Sequence, residues 1–170
     1  MGMFCYQCEQ TARGVGCVDV GVCGKTVGTA AAQDRVTFEL MKLAVASRAR
    51  HVESQYALVF MRALFATVTN VNFDESSCES LADDIAAMTD TLTAGKEVVL
   101  DAVSAPDTLF GAATTEGSCR SLLILGLRGM AAYAYHAHVL GRHDPAVDEW
   151  LVTGMAEAST SHSVPEWLGL

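Results

Sequence analysis

Hydrophobic side chains recur at helical spacing through most of the 170-residue chain. Apolar residues three, four, seven and eight positions apart are typical of one buried face of a helix. Four stripes of this kind are Val36, Leu40, Leu43 and Ala44; Ala57, Phe60, Met61, Leu64 and Val68; Leu81, Ile85, Met88 and Leu92; and Val147, Leu151, Met155 and Ala158. No alternating strand pattern of useful length accompanies them, although residues 18–22 are apolar enough to pair briefly. The pattern predicts an all-α fold whose helices pack as bundles.

Turn and capping residues mark the ends of the predicted helices. The run Asn70–Asn72 breaks the second stripe, because Asn favours turns. Asp74 then has the chemistry of an N-cap for the third helix. The third stripe continues through residues 99–103, with Gly95 as a weak point where the helix could divide into two. Residues 104–117 contain one proline and two glycines, so we predict a loop there.

The most apolar helix is predicted from Ser118 to Leu140, and Gly141 is well placed to end it. Gly126 and Gly129 lower the helix propensity of this segment. A close approach by another helix would explain why glycine occupies both positions, so we expect such an approach there.

The C-terminal part of the chain carries two more helix starts. Asp144-Pro145 is a cap followed by proline in the first turn. Ser163–Glu166 fits a capping box, and Trp167, Leu168 and Leu170 are the last apolar residues. We therefore expect the sequence to stop within a helix, and these apolar side chains to form a surface that missing domains normally cover.

Composition and charge narrow the class of protein. A hydrophobic fraction of 51% and a charged fraction of 18% are typical of a globular domain with a substantial core. The net charge is −9 and Lys and Arg form no run, so we expect no nucleic-acid partner. No apolar run reaches the length of a membrane span, and the N-terminus lacks the pattern of a secretory signal. We expect a cytoplasmic protein, and the reducing conditions there favour metal binding by thiols over disulfides.

Four of the six cysteines lie close together near the N-terminus, in the stretch CYQCEQTARGVGCVDVGVCG. Their spacing is C-x2-C-x8-C-x5-C, which matches neither the usual zinc ribbon nor the common ferredoxin patterns. Interspersed glycines permit tight turns and bring backbone N–H groups close to sulfur, which favours an iron–sulfur cluster. Arg13 and Lys25 would offset part of its negative charge. Zinc, disulfides and free thiols remain open on the spacing alone.

The other candidate ligands have simpler interpretations. Cys78 and Cys119 are isolated in the sequence, and a free cysteine usually packs as a small hydrophobe. His136 and His138 are two residues apart, so they point in different directions on a helix and do not share a metal easily. The aromatic pair Tyr133 and Tyr135 on an apolar helix is interpreted as core. The acidic residues 83–84 are expected on a solvated face.

Several segments resemble the hybrid-cluster proteins, also called prismane proteins or hydroxylamine reductases. The resemblance is carried by MFCYQCEQTARGVGCVDVGVCGK from Met3, FATVTNVNFD from Phe65, RSLLILGLRGMAAYAYHAHVLG from Arg120, and VDEW from Val147. These segments follow the family's order and cover nearly the whole chain. The cysteine motif and the GLRGMAAYAYHAHVLG stretch together are specific to the family.

The resemblance implies a [4Fe-4S] cluster held by the family's four cysteine positions, which are Cys5, Cys8, Cys17 and Cys23 here. It also implies two three-helix bundles, so we divide the chain into a cluster-binding segment at 1–33 and a helical domain at 34–170, truncated within its last helix. A complete member reduces hydroxylamine or nitric oxide at a hybrid Fe–S–O cluster. Its ligands lie beyond this chain, so turnover by the chain alone is not expected.

The expected role is therefore that of an electron relay, with the missing domains and a redox donor as partners. The alternative is a structural zinc domain for protein interaction that uses the same four cysteines and has no redox activity.

Overall fold

Six helices dominate the computed structural model, which describes residues 3–110 and 114–170. They are α1 (Val27–Arg50), α2 (Glu53–Ala66), α3 (Glu75–Thr93), α4 (Thr115–Val139), α5 (Pro145–Ala158) and α6 (Val164–Trp167). Outside the helices, the described residues pair only in one isolated antiparallel bridge, between Cys5 and Cys17. The predicted all-α class is confirmed. In this part of the chain no helix is both long and apolar enough to cross a membrane.

Helix α1 lies at the centre of the packing, because it contacts α2, α3 and α5. Its stripe residues Val36, Leu40 and Leu43 are fully buried, and they belong to one core cluster with Phe60 of α2 and Leu151 of α5. Burial of a side chain of this size contributes about 1.5–3 kcal/mol. Helices α2, α4 and α5 also contact one another, so the same core continues to the C-terminal part of the chain. The helical stripes predicted from the sequence therefore form the core.

Several predicted helix ends agree with the structure. The Asp74 side chain accepts a hydrogen bond from the Ser77 N–H at 3.2 Å, which confirms the predicted N-cap of α3. Gly141 follows α4 in the left-handed conformation, with φ of 71°. At the C-terminus, Ser163 donates to the Glu166 carboxylate from both its N–H and its hydroxyl, each at 2.7 Å, so the predicted capping box is present.

Helix α3 ends earlier than its stripe predicted. The helix stops at Thr93, because Ala94 and Gly95 adopt left-handed conformations and the Gly95 N–H closes the end on the Asp90 carbonyl at 2.8 Å. The predicted weak point at Gly95 is therefore confirmed as the end of the helix. Residues 99–103 are not helical, so the continuation of the helix was wrong; Val99 is 77% exposed, whereas Val103 is buried in the core as predicted. In the predicted loop, Pro106–Thr108 forms a 3-10 turn and α4 already begins at Thr115. Residues 111–113 of that loop lie outside the described residues.

Gly154 on α5 permits close packing against α4. A Cβ atom there would lie 2.9 Å from the Leu127 Cδ2 atom of α4, which is well inside van der Waals contact. Gly126 and Gly129 lie on the exposed side of α4, and a Cβ at either would meet no atom within 4 Å. The predicted close approach at these two glycines was therefore wrong, because α4 packs against the core through the opposite face of the helix.

The end of the chain is partly covered. Trp167 is buried, and its ring meets His162 edge to face at a centroid distance of 4.7 Å. Leu168 and Leu170 are exposed to 80% and 46%. The predicted exposure holds for these two leucines and was wrong for Trp167, because α6 contacts α4. The expectation that the sequence stops within a helix was also wrong, since α6 ends at Trp167 and Leu168 caps it.

One carboxyl group of α1, Asp34, has an unusual environment. Loss of hydration raises its pKa from 3.8 to about 7, although the positive charges of Arg128 and Lys25 act in the opposite direction; the negative charge of Asp107 raises it slightly further. The native protein therefore holds the Asp34 proton more tightly than the unfolded chain does.

This difference predicts how stability depends on pH. Between pH 3.8 and about 7 the native state binds more protons at Asp34 than the unfolded state, so its contribution to the free energy of unfolding falls as pH rises and is constant above that range. We expect Asp34→Asn to remove this part of the pH dependence in urea denaturation of the metal-free protein. An unchanged slope of stability against pH in the variant would contradict the assignment.

The two glycine environments predict opposite effects of alanine. Gly126→Ala should stabilise the chain by roughly 0.5–1 kcal/mol, because it improves helix propensity in open space. Gly154→Ala gains the same propensity but forces Leu127 to move, which costs about 1–3 kcal/mol. Thermal unfolding followed by circular dichroism should rank the alanine at 154 below that at 126. The reverse order would show that α4 and α5 do not approach as described.

Candidate metal centre in the cysteine-rich segment

Residues 3–25, here called the cysteine-rich segment, fold back on themselves at the bridge between Cys5 and Cys17. The Cys5 N–H donates to the Cys17 carbonyl at 3.0 Å, and the Cys17 N–H donates to the Cys5 carbonyl at 2.8 Å. Directly opposite residues in an antiparallel pair project their side chains to the same face. The bridge therefore brings two cysteines together that are twelve positions apart in the sequence.

Tight turns place the other two cysteines on this folded segment. The Thr11 N–H donates to the Cys8 carbonyl at 3.1 Å and leads into the 3-10 turn Ala12–Gly14. On the other side of the bridge, the Gly21 N–H donates to the Lys25 carbonyl at 2.8 Å and closes a turn around Cys23. A Cβ at Gly21 would come within 3.0 Å of the Cys23 sulfur. Glycine is needed there because the backbone passes so close to the thiol.

The Cys17 sulfur accepts a hydrogen bond from the protein backbone. The Ala12 N–H donates to Cys17 Sγ at 3.5 Å. Hydrogen bonds from the N–H groups of Ala12 and Val22, together with the positive charge of Lys25, lower the pKa of the Cys17 thiol, and burial opposes them only in part. The thiolate is the form that binds metals, so the segment is arranged to stabilise the ligating form of a buried cysteine.

Side-chain contacts anchor the segment to the helices. The Tyr6 hydroxyl donates to Ser121 Oγ on α4, and the Tyr6 ring packs edge to face on Phe110. Lys25 is 2% exposed and donates from Nζ to Gln33 Oε1 of α1 at 2.6 Å. The first helix begins at Val27, so it starts within the part of the chain that the sequence analysis assigned to cluster binding.

The predicted ligands and the other candidates are distributed as follows. All six cysteines are free thiols, and Cys78 is fully buried in the helical core, as predicted. Cys119 is half-buried on α4. Tyr133 is 83% exposed, so its assignment to the core was wrong, whereas Tyr135 packs partly against the core. Between residues 3 and 110 and from 114 onward, no three His, Cys, Asp or Glu side chains are grouped so that they could hold a metal ion.

The residues of the segment nevertheless have the chemistry that an iron–sulfur cluster requires. Four soft thiol donors lie on one glycine-rich segment, one of them already accepts a backbone N–H bond, and a buried lysine lies beside them. The donor set and its surroundings thus fit a cluster, and the thiols Cys5 and Cys17 are already on the same face.

A second buried cation, Arg128, lies near the segment and was missed in the sequence analysis. Arg128 on α4 is 2% exposed, and burial lowers its pKa to about 10, while the negative charges of Asp34 and Cys5 oppose that shift. The signal was present in the sequence, because an arginine at helical spacing from Ile124 and Ala131 occupies a core position in an apolar helix.

Comparisons with known proteins agree along the whole chain. The model of the Prismane/CO dehydrogenase family matches residues 3–168. A hydroxylamine reductase of Solidesulfovibrio magneticus is 38% identical over 193 aligned positions, which cover 99% of this chain and 36% of that protein. A hydroxylamine reductase of Methanocella arvoryzae is 35% identical with the same coverage, and one of Desulfitobacterium hafniense is 36% identical over 96% of this chain and 34% of its own length.

The matched region includes the cysteine-rich segment and all six helices. The chain spans about a third of the length of these relatives. An identity of this size over almost every residue shows common descent, and the chain therefore belongs to the Prismane/CO dehydrogenase family.

Proposed function

We propose that the chain is the N-terminal electron-transfer part of a hydroxylamine reductase and holds a [4Fe-4S] cluster through Cys5, Cys8, Cys17 and Cys23. The observation that carries the proposal is the folded cysteine-rich segment, in which the bridge sets Cys5 opposite Cys17 within a chain whose relatives are hydroxylamine reductases. The cluster would supply reversible one-electron redox chemistry.

The residues of the chain have distinct tasks in this proposal. The four thiolates anchor the cluster, and the Ala12 N–H stabilises negative charge on the Cys17 sulfur. Lys25 adds a buried positive charge beside the segment. Tyr6 and Lys25 anchor the segment to α4 and α1 by hydrogen bonds to Ser121 and Gln33. The division proposed from the sequence, a binding segment at 1–33 and a helical domain at 34–170, cuts through α1, so we place the boundary just before Val27. For the helical domain the family arrangement is two three-helix bundles.

The partners follow from the same proposal. Electrons come from a redox donor and pass to a substrate-reducing hybrid cluster in the further domains of the complete protein, where hydroxylamine or nitric oxide is reduced. The chain matches only about a third of its relatives' length, so these further domains are the natural partners. Reducing surroundings favour free thiols over disulfides, which supports a cytoplasmic location in this proposal.

The first test is the identity of the ligands. Replacing any one of Cys5, Cys8, Cys17 and Cys23 with Ser should remove most of the bound iron after anaerobic reconstitution, because a hydroxyl is a poor ligand for iron in a sulfur-rich cluster. Iron and sulfide analysis with visible absorption and EPR measures the effect.

Matched controls come from the same chain. Cys78→Ser and Cys119→Ser remove a thiol outside the segment and should leave the iron content unchanged. A brown Cys17→Ser protein together with a colourless Cys78→Ser protein would contradict the assignment. A colourless wild-type protein with bound zinc would favour the structural zinc domain instead, since zinc has a filled d shell.

The second test removes the metal. The main helical core is separate from the small apolar cluster of Met3, Cys17 and Ala30, so only the first turn of α1 depends on the segment for its burial. We expect iron-free protein to keep most of its far-UV circular dichroism, while trypsin cleaves faster at Arg13 because the segment loses its order. Near-complete loss of helix on iron removal would show that the cluster nucleates the whole fold.

A further inference from the structure

We propose that Arg128 is the buried counter-cation of the cluster and raises its reduction potential. This inference rests on the proposed function, since it requires a cluster in the cysteine-rich segment. Arg128 lies on α4, far from the cysteines in the sequence. In this inference it does not bind the cluster but acts on it through its charge.

The burial of Arg128 is unusual for its charge. The side chain is 2% exposed, and its guanidinium donates one hydrogen bond, from Nη2 to Thr37 Oγ1 at 2.8 Å. Among the described residues, Nε and Nη1 are buried and have no hydrogen-bond partner. Burying a charge that is neither paired nor fully hydrogen-bonded is costly, so proteins rarely keep one without a compensating negative group.

Asp34 is the carboxylate whose charge affects Arg128 most, and it does not fully compensate the buried arginine. Asp34 interacts with Arg128 through its charge, but the two form no ion pair within 4 Å in the described part of the chain. Loss of hydration raises the pKa of Asp34, which weakens its negative charge near neutral pH. Within the described residues the charge of Arg128 is therefore only partly compensated, by Asp34 and by the face of the Phe110 ring.

The position of Arg128 connects it to the cysteine-rich segment. Its guanidinium carbon lies 5.2 Å from the centroid of the Phe110 ring. Phe110 lines a small cavity together with Cys5 and with Leu125. Leu125 precedes Arg128 by three residues on α4, so the two lie on neighbouring parts of one helix face.

These observations fit an anionic group at the cysteines. A cluster with four thiolate ligands is negative, and its reduction adds one more negative charge. A buried cation stabilises the reduced form more than the oxidised form, and the weakly polar interior screens the interaction less than water would. Arg128 thus acts through its charge. Lys25 has further contacts, because its carbonyl accepts the hydrogen bond that closes the turn at Gly21 and its Nζ donates to Gln33.

The test compares variants that separate charge from shape. Arg128→Met removes the charge and keeps a long apolar side chain, Arg128→Gln removes the charge and keeps a hydrogen-bond donor for Thr37, and Arg128→Lys keeps the charge. Each protein is reconstituted anaerobically, analysed for iron and sulfide, and titrated with reductant while the reduced cluster is followed by EPR.

We expect the Met and Gln variants to contain as much cluster as wild type. At a solution potential near the wild-type midpoint, their ratio of reduced to oxidised cluster should fall about tenfold, which equals a lowering of roughly 59 mV for one electron. Arg128→Lys should stay close to the wild-type ratio. A residue that only supports packing would not produce this dependence on charge.

The outcomes separate this inference from the proposed function. A wild-type protein that takes up no iron sinks the proposed function and the inference with it. Normal cluster content with an unchanged midpoint in Arg128→Met and Arg128→Gln overturns the inference alone. An equal fall in Arg128→Lys overturns it too, because charge would then not be the cause. If both neutral variants fail to fold while Arg128→Lys folds, the helical core needs the arginine and the proposal is likewise wrong.

Discussion

The burial of α1 on most of its surface is the constraint on which the rest of the structure depends. Helix α1 contacts α2, α3 and α5, and its N-terminal half also carries buried polar side chains such as Gln33 and Thr37. A buried polar group costs free energy unless it is hydrogen-bonded. The partners of these two side chains come from elsewhere in the chain: Lys25 donates to Gln33, and Arg128 donates to Thr37. The polar residues of α1 therefore fix the positions of its neighbours.

Two buried cations result from this arrangement. Lys25 brings the end of the cysteine-rich segment against α1, and Gln33 passes the contact on by donating to the Asn72 carbonyl before α3 at 2.8 Å. Arg128 links α4 to the same helix through the long side chain that reaches Thr37. These two cations lie in the interior of a chain whose net charge is −9, although the cysteine-rich segment itself also contains Glu9 and Asp19. Buried cations of this kind would offset part of the negative charge of the proposed cluster.

The helical domain and the cysteine-rich segment are stabilised in different ways. The helices bury one continuous apolar core, whereas the segment has a small apolar cluster and depends on turns, backbone hydrogen bonds and the anchors at Tyr6 and Lys25. Val15, Val18, Val20 and Val22 of the segment are each more than half exposed. A part of the chain with so little core of its own is expected to open more readily than the helices.

The sequence by itself determined the helix class, the four buried stripes, the caps at Asp74 and Ser163, and the cysteine motif, because each depends on local spacing or on local backbone chemistry. It marked Gly95 as a weak point of the third helix, but it did not show that residues 99–103 lie outside any helix, because their apolar spacing continues the stripe. Nor did it show which glycine contacts a neighbouring helix. Gly126 and Gly129 have the same local character as Gly154, and only the packing of α4 on α5 distinguishes them. The pairing of Cys5 with Cys17 and the burial of Arg128 beside the segment were likewise decided by the tertiary structure, since they join residues that are far apart in the chain.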